Sequence, residues 1–414
     1  MAASPSLPDF SPSGPRLWGL AVAQLVGWGT LYYGYALLFG PMEAELGWSR
    51  TDLNGALTAG LLATGLGAVP IGRLIDRFGA ALPMTAGAVA GALLLVLWSR
   101  IDSLPAFYGL CVALGIAQGA SLGDPAFAVI TANARDARRA ITALTLVTGL
   151  CTTVFFPLVQ ALIEHLGWRN ALLALGLVQL LFCALPHALV LKGTRGPRRS
   201  SQEIEAGQRD GSASEARPVF RRAAFWSFAL CFAAQAFISS GLTFHLVPLL
   251  QERGFGIETA VAVFALRGPA QVGARMLLLA LGSKAPARRV GSFIVLLPPL
   301  ALAALFATAP GGTAALIAFV VLYGVADGSL TIVRAAGIGE MLDRERYGTV
   351  AGTLSFIALV PKVGAPLAIA ALWQWTGGYA AVIEALILAA LVGAAGFWLA
   401  AARTGIRPAP TTTA

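Results

Sequence analysis

The sequence predicts an all-α membrane protein with twelve transmembrane helices, arranged as two pseudo-symmetric six-helix bundles. Three observations support this prediction. Of the 414 residues, 57% are hydrophobic and 12% are charged, which is more apolar sequence than a soluble core can bury. Twelve apolar segments are each long enough to cross a bilayer, which requires about 20 residues. In addition, the two halves of the chain carry matching sequences.

The twelve apolar segments are separated by polar loops. They lie at roughly 17–41, 53–74, 79–99, 104–132, 141–165, 168–191, 223–250, 257–280, 288–309, 313–338, 348–375 and 378–402. The stretch between the sixth and seventh segments is charged and rich in Ser and Gly, which predicts a flexible linker. We therefore expect a cytosolic tail at 1–16, bundles at 17–191 and 223–402, a cytoplasmic linker at 192–222 and a cytosolic tail at 403–414.

Lys and Arg are distributed unequally between the two sides of the predicted bundle. With twelve crossings, 22 of the 29 basic residues fall in or near the loops on the side of both termini, four in or near those on the opposite side, and three deep inside segments. Such an excess marks the cytoplasmic side, so both termini are expected in the cytoplasm, as in a bacterial-type inner membrane. The net charge of +9 then reflects topology and contact with anionic lipid, and nucleic acid is not an expected partner.

The fourth and tenth segments match without gaps at an offset of 209 residues. The matching pairs are Gly115 with Gly324, Ala117 with Ala326, Gly119 with Gly328, Arg135 with Arg344 and Asp136 with Glu345. Two six-helix repeats joined by a cytoplasmic linker are typical of transporters, in which the substrate binds between the halves near the middle of the membrane.

Motifs for enzymatic chemistry are missing from the sequence, apart from one isolated match. Residues 119–123, GASLG, fit the serine-hydrolase pattern G-x-S-x-G, but that nucleophile needs a turn between a strand and a helix. This pattern lies inside an apolar helical segment, so we interpret it as a chance match. The four cysteines also lie in apolar segments, without metal-binding spacing. No enzymatic activity, metal or cofactor is expected.

A charged turn, GRLIDRFG, follows the second segment. Its candidate gating residues are Gly72, Arg73, Asp76, Arg77 and Gly79. Asp and Arg in a tight cytoplasmic turn can pair with charges or helix ends of neighbouring helices and close an inner gate, although a solvated turn would look the same. The spacing G-x-x-x-D-R-x-G resembles the signature of the major facilitator superfamily, which implies the major facilitator fold and secondary transport. The basic residues that usually follow the last Gly are replaced here by Ala80 and Ala81.

Three charged residues are predicted deep in the membrane. Arg267 lies near the middle of the eighth segment, Asp327 near the middle of the tenth, and Lys362 at a similar depth in the eleventh. Ionisable residues at this depth are costly and mark binding sites or ion paths. A structural ion pair of Asp327 with either base is the alternative. Because one acid neutralises only one base, at least one cation is expected to remain for an anionic ligand.

An Arg in the eighth helix and a Lys in the eleventh resemble the oxalate/formate antiporter and monocarboxylate porter branch of the superfamily. The resemblance implies that Arg267 and Lys362 hold a carboxylate. It also implies that aromatic residues line the binding site. The first segment offers Tyr32, Tyr33 and Tyr35 for this role, although these residues can equally serve packing. Animal monocarboxylate porters carry a Lys in the first helix, which this chain lacks, so their coupling scheme does not carry over.

Two residues are candidates for proton coupling. Protonation of Asp327 would remove a negative charge beside the bases, so proton and anion would favour each other's binding. His245, in the seventh segment, is either a proton relay or a buried, hydrogen-bonded histidine. The expected function is secondary transport of a small organic anion, coupled to protons or to a counter-anion, by a monomer in a lipid bilayer.

Two alternatives remain. Drug/proton antiporters of the same superfamily carry R-x-x-Q-G in the fourth helix, and here Gly115 takes the place of the Arg before Gln118 and Gly119. A membrane sensor built on a transporter fold is the second alternative. It would need an output domain, for which the short linker offers little room.

Overall fold

The computed structural model describes residues 10–11, 14–194, 217–281, 286–308, 312–343 and 347–403, and every regular element in these ranges is helical. We number the helices α1 (Pro15–Trp28, Gly29–Tyr33 and Tyr35–Leu46), α2 (Arg50–Phe78), α3 (Ala81–Trp98), α4 (Leu104–Ser121 and Asp124–Asn133), α5 (Ala137–Gly149 and the first part of Cys151–Gln179), α6 (the rest of Cys151–Gln179, Leu180–Ala184 and Leu185–Val190), α7 (Ala223–Glu252), α8 (Ile257–Leu281), α9 (Ala287–Ile294 and Leu297–Phe306), α10 (Thr313–Gly337 and Ile338–Leu342), α11 (Tyr347–Thr376) and α12 (Tyr379–Arg403). Most of the predicted linker and of both tails lies outside the described residues.

The all-α membrane fold is confirmed. Nine stretches of the described residues are long and apolar enough to cross a membrane, and one of them, Arg139–Val190, is 52 residues long. This stretch contains both α5 and α6, because the chain turns at Gly167, whose φ of 76° suits glycine. Together with α1 and α8, the arrangement is consistent with the twelve predicted crossings.

Glycines let α2 and α4 pack at backbone distance. A Cβ atom added to Gly115 of α4 would lie 2.0 Å from the carbonyl oxygen of Gly60 in α2. The hydroxyl of Thr64 donates across the same contact to the carbonyl of Gly115 at 2.9 Å. A larger side chain at position 115, including the Arg of the drug-antiporter motif, would separate the two helices.

The apolar cores show how α1–α6 (the first half) meet α7–α12 (the second half). We call the side of the bundle that carries both termini the termini side, and the opposite side the far side. On the far side one core combines both halves, including Phe39, Leu57 and Phe156 with Phe244, Phe264 and Ile369. On the termini side the described residues form one core within the first half, including Leu17, Ile75 and Val129, and another within the second half, including Phe228, Val333 and Phe397. The apolar cores of the halves are therefore joined at the far side and separate at the termini side, where Arg275 of α8 still donates to the carbonyl oxygen of Thr145 in α5 at 2.8 Å.

Candidate functional site

An ion pair between α8 and α10 lies at the centre of the second half. Nη2 of Arg267 donates to Oδ2 of Asp327 at 2.7 Å, and the two side chains are 4% and 17% exposed. Arg267 is ten residues beyond the start of α8, which corresponds to a depth of about 15 Å along a helix. Of the two pairings that the sequence left open for Asp327, the structure shows the one with Arg267.

Glycines on α10 make this ion pair possible. A Cβ atom added to Gly324 would lie 2.6 Å from the Cβ atom of Ala270, and one added to Gly328 would lie 2.5 Å from the carbonyl oxygen of Gln271. These glycines flank Asp327, so α10 approaches α8 at backbone distance. Gly324 is the repeat partner of Gly115, and both glycines serve a close helix contact in their own half.

Four side chains donate to the carboxylate of Asp327. Oδ2 accepts from Arg267 and from Nε2 of Gln271 at 2.6 Å, while Oδ1 accepts from Gln235 and Ser239 of α7 at 3.3 Å each. Side chains from three helices, α7, α8 and α10, therefore fix the position of this ion pair.

Arg267 retains capacity to bind a ligand. Its Nη groups donate to Ser239 and Thr243 at 3.3 and 3.5 Å, but its buried Nε has no partner among the described residues. The guanidinium carbon lies 5.1 Å from the ring centre of Tyr323. A buried donor without a partner is costly, so an acceptor at this position, from a ligand or from water, would be stabilised.

Tyr32 and Tyr33 lie where the first half reaches this site. Both belong to the π-helical turn Gly29–Tyr33 of α1, a feature that is frequent at functional sites. The ring of Tyr32 meets Phe244 of α7 at 5.2 Å, and the ring of Tyr33 lies 6.2 Å from that of Phe156, which stacks on Phe264 of α8 at 4.0 Å. Tyr35 instead packs in the first half, with its ring 4.6 Å from that of Trp98.

Lys362 lies apart from the ion pair. Its side chain is exposed, and it makes no hydrogen bond or ion pair with any described residue. The structure therefore brings Arg267 and Asp327 together but leaves Lys362 away from both.

His245 is buried and bonded through both ring nitrogens. Nδ1 lies 2.9 Å from the hydroxyl of Tyr379 in α12, and Nε2 lies 2.9 Å from the carbonyl oxygen of Pro366 in α11. Because a carbonyl only accepts, Nε2 carries the proton, and the neutral ring accepts from Tyr379 at Nδ1. His245 therefore ties α7 to α11 and α12.

Arg50 closes the far side between the halves. It stands at the start of α2 and pairs with Glu43 at 3.3 Å. Its guanidinium lies 4.4 Å from the ring centre of Trp373 and donates to the hydroxyl of Tyr379 at 3.5 Å. Next to it, Thr51 donates to Gln374 of α11 at 2.6 Å. Nothing in the local sequence around Arg50 predicts this contact.

The predicted gating turn lies at the termini-side end of α2. Arg73 and Arg77 are exposed, and Arg77 lies over the ring of Phe78 at 5.1 Å. Gly72 lies within α2, and Gly79 ends the helix with a φ of 77°. The side chain of Asp76 lies outside what the structure describes. Among the described residues, the two arginines form no ion pair with the second half.

The sequence and the fold were compared with known proteins. Residues 17–360 match the sequence profile of the Major Facilitator Superfamily. The oxalate:formate antiporter of Oxalobacter formigenes is 25% identical over 249 residues, which cover 58% of this chain and 56% of that protein. The chain thus spans little more than half the length of this curated relative.

Two solved structures share the fold. One is a bacterial homologue of the human lysosomal transporter Spinster in an inward-facing, unoccupied conformation, with a TM-score of 0.71, 17% identity and coverage of 94% of this chain and 96% of that chain. The other is a mutant of the nucleoside transporter NupG, with a TM-score of 0.75, 12% identity and coverage of 93% and 98%. The chain belongs to the Major Facilitator Superfamily and is a multi-pass membrane transporter, not an enzyme.

Proposed function

We propose that this transporter moves a small organic anion, a mono- or dicarboxylate, across a bacterial inner membrane. The observation that carries the proposal is the buried Arg267, whose Nε donor is unsatisfied. A carboxylate oxygen would accept from this donor. The likeness to the oxalate:formate antiporter supports the same substrate class. Lys362 would hold the anion from the α11 side, with Tyr32 and Tyr33 lining the space between the halves.

Asp327 is the proposed coupling group. Its carboxylate neutralises Arg267 at 2.7 Å, so an entering anion competes with it. Protonation of Asp327 would release the charge of Arg267 to the substrate, which links proton binding to anion binding. Exchange of one anion for another is the alternative scheme, and it needs no change of protonation.

During alternating access, the bundle at 17–191 would move as a unit against the bundle at 223–402, within a monomer. If the termini side is cytoplasmic, as the Lys and Arg distribution predicts, the separate cores on that side describe an inward-facing state. Arg50, Trp373 and Tyr379 then form the closed outer gate. The turn around Arg73 and Arg77 would close the inner side in the other state.

His245 would link the outer gate to proton binding. In its neutral form it accepts from Tyr379, whose oxygen in turn accepts from Arg50. A protonated ring donates at Nδ1 instead and places a second cation near Arg50. This change would weaken the closed outer gate.

Reconstituted vesicles test the proposal directly. Uptake of radiolabelled oxalate and formate is measured with the unaltered protein, with Arg267→Ala, and with Arg100→Gln as a control at an exposed arginine. We expect carboxylate uptake that Arg267→Ala abolishes and the control preserves. Uptake that survives Arg267→Ala would show that the site assignment is wrong. If drug-like cations are moved and carboxylates are not, the drug-pump alternative replaces the proposal.

A further inference from the structure

Helix α8 carries a proline two residues after Arg267. Pro269 lies inside the helix and has no backbone N–H. The carbonyl oxygen of Ala265, four residues before Pro269, therefore lacks the donor that an α-helix normally provides. A backbone carbonyl without a donor is costly inside a membrane, and a Ser or Thr side chain of a neighbouring helix can replace the missing donor. A donor from outside α8 would therefore stabilise this turn.

The first half of the transporter supplies this donor. The hydroxyl of Thr153 in α5 donates to the carbonyl oxygen of Ala265 at 2.7 Å. Gly268 makes the approach possible, because a Cβ atom added to it would overlap the hydroxyl of Thr153 and would lie 3.0 Å from the carbonyl oxygen of Gly149. Helices α5 and α8 therefore meet at backbone distance beside Arg267, and a hydrogen bond crosses between the halves there.

Contacts on both sides of this bond fix α5 against α8. Towards the far side, the ring of Phe156 stacks on that of Phe264 with their centres 4.0 Å apart. Towards the termini side, Arg275 donates to the carbonyl oxygen of Thr145 at 2.8 Å. Phe264 and Arg275 lie about 16 Å apart along α8 at 1.5 Å per residue. The bond from Thr153 lies between these two contacts, so the two helices cannot separate there without disturbing both.

The bonded turn of α8 surrounds Arg267 along the chain. Ala265 lies two residues before Arg267, and Pro269 lies two residues after it. Nη2 of Arg267 is fixed to Asp327 of α10, whereas Nε is the guanidinium nitrogen nearest to the backbone of α8. A shift of the backbone at this turn therefore displaces Nε more than Nη2. This Nε is the buried donor without a partner among the described residues, so its position decides whether it reaches a ligand.

We propose that Thr153 is a positioning residue of the carboxylate site. By donating to Ala265, it holds the turn of α8 around Pro269 in the shape that directs Nε of Arg267 at the substrate. The inference rests on the proposed binding of a carboxylate by Arg267. Thr153 acts through α8 and not on the substrate, because its hydroxyl proton is given to Ala265. The binding arginine thus belongs to one half of the transporter and is positioned from the other half.

The hydrogen bond is tested first without any substrate. Thr153→Val removes the hydroxyl with little change of shape and leaves the carbonyl of Ala265 without its donor, so the unfolding temperature of the purified protein should fall. Thr152→Val is the matched control, because the neighbouring hydroxyl of Thr152 is buried and has no partner among the described residues. We expect this control to keep or to raise the unfolding temperature. Equal losses in the two variants would overturn the inference.

A second variant tests whether the proline creates the need for Thr153. Pro269→Ala restores an N–H that can donate to Ala265 within α8. In this background we expect Thr153→Val to lower the unfolding temperature less than it does in the unaltered protein. Pro248→Ala, at a proline inside α7, is the control background and should leave the loss caused by Thr153→Val unchanged. The same loss in the Pro269→Ala background as in the unaltered protein would overturn the inference.

Uptake into reconstituted vesicles then tests the positioning of Arg267. We expect Thr153→Val to raise the half-saturating concentration of oxalate and formate roughly three- to tenfold, which corresponds to one hydrogen bond. Thr153→Ser keeps a hydroxyl and should stay close to the unaltered protein, as should Thr152→Val. In the Pro269→Ala background, the removal of the Thr153 hydroxyl should change the half-saturating concentration less.

The outcomes separate this inference from the proposed function. Coupled unfolding temperatures without carboxylate uptake in the unaltered protein would refute the proposed substrate class, while the bond between Thr153 and Ala265 would stand. Carboxylate uptake in the unaltered protein, with a lower maximal rate but an unchanged half-saturating concentration in Thr153→Val, would indicate a purely structural role. That result would refute the positioning of Arg267 by Thr153 and leave the proposed function standing.

Discussion

Arg267 and Asp327 bind each other within the second half of the transporter, at 2.7 Å between α8 and α10. Because both helices belong to the same six-helix half, movement of one half against the other does not by itself separate the pair. Any change in its state must come from a ligand or from a proton. This distinguishes it from the contacts of Arg50 with Trp373 and Tyr379, which cross between the halves and change as the halves move.

Replacement of Asp327 by Asn should reduce the pH dependence of uptake to the contribution proposed for His245, while the site stays folded. The amide oxygen still accepts from Arg267 and Gln271, but it offers no proton site, and the charge of Arg267 is permanently available. Initial uptake of oxalate and formate, measured as a function of external pH, should vary less in Asp327→Asn than in the unaltered protein. It should rise towards acid pH in the unaltered protein and in Asp327→Glu. A flat profile in the unaltered protein would instead support exchange.

Replacement of Arg50 by Ala should open the far side. The variant loses the contact with Trp373, the hydrogen bond to Tyr379 and the ion pair with Glu43. Because the first two contacts join the halves only while the far side is closed, their loss shifts the population towards the open state. Spin labels on cysteines introduced at Ser103 and Glu258, exposed residues at the far-side starts of α4 and α8, report the separation of the halves.

We expect a longer mean distance in Arg50→Ala than in the unaltered protein. Thr51→Val, which loses only the hydrogen bond to Gln374, is the matched control and should show a smaller increase. The four native cysteines are buried, so they compete little for the label. An unchanged distance distribution in Arg50→Ala would show that this arginine does not hold the gate.

The sequence predicted the location of the buried charges but not their pairing. Arg267, Asp327 and Lys362 stand out because each interrupts an apolar segment, a one-dimensional signal that hydropathy detects. Which acid meets which base depends on how the helices rotate and approach, and here glycines at 324 and 328 set the α8–α10 distance. The polar residues around the pair carried a detectable signal, since Gln235, Ser239 and Thr243 recur every fourth residue along one face of α7.

Two other features could not be predicted from local sequence. The break in α4 depends on Gln24, whose side chain donates to the carbonyl of Ser121, 97 residues away along the chain. The role of Arg50 depends on Trp373 and Tyr379, more than 300 residues away. Local patterns describe single helices, and contacts of this kind arise only when two six-helix halves pack together.

Acid should weaken the far-side contacts of Glu45, which lies beyond the predicted first segment. Hydrogen bonds from Trp168 at 2.5 Å and from Arg169 at 2.9 Å hold the pKa of this carboxyl below its usual range. A lowered folded-state pKa contributes stability above the ordinary pKa of Glu, and this stability is lost as the pH falls through the folded-state value. The unfolding temperature of Glu45→Gln should therefore fall less than that of the unaltered protein between pH 7 and about pH 3, which spans the ordinary Glu pKa. Equal losses in both proteins would contradict the assignment.

A methyl group at Gly115 should destabilise the first half, whereas the same change at Gly109 of the same helix should not. At position 115 the added Cβ atom would lie 2.0 Å from the carbonyl oxygen of Gly60, but at position 109 it would meet nothing within 4 Å. Overpacking against rigid backbone costs about 1–3 kcal/mol, while Gly→Ala in an open helical position gains about 0.4–1 kcal/mol. Unfolding temperatures in one detergent should thus move in opposite directions for Gly115→Ala and Gly109→Ala. Because α2 also packs at Gly65 against Leu359 of α11, one helical turn before Lys362, the displaced helix in Gly115→Ala should lower uptake too, and Gly109→Ala should transport normally. If Gly115→Ala were as stable as Gly109→Ala, α2 and α4 would not pack at backbone distance.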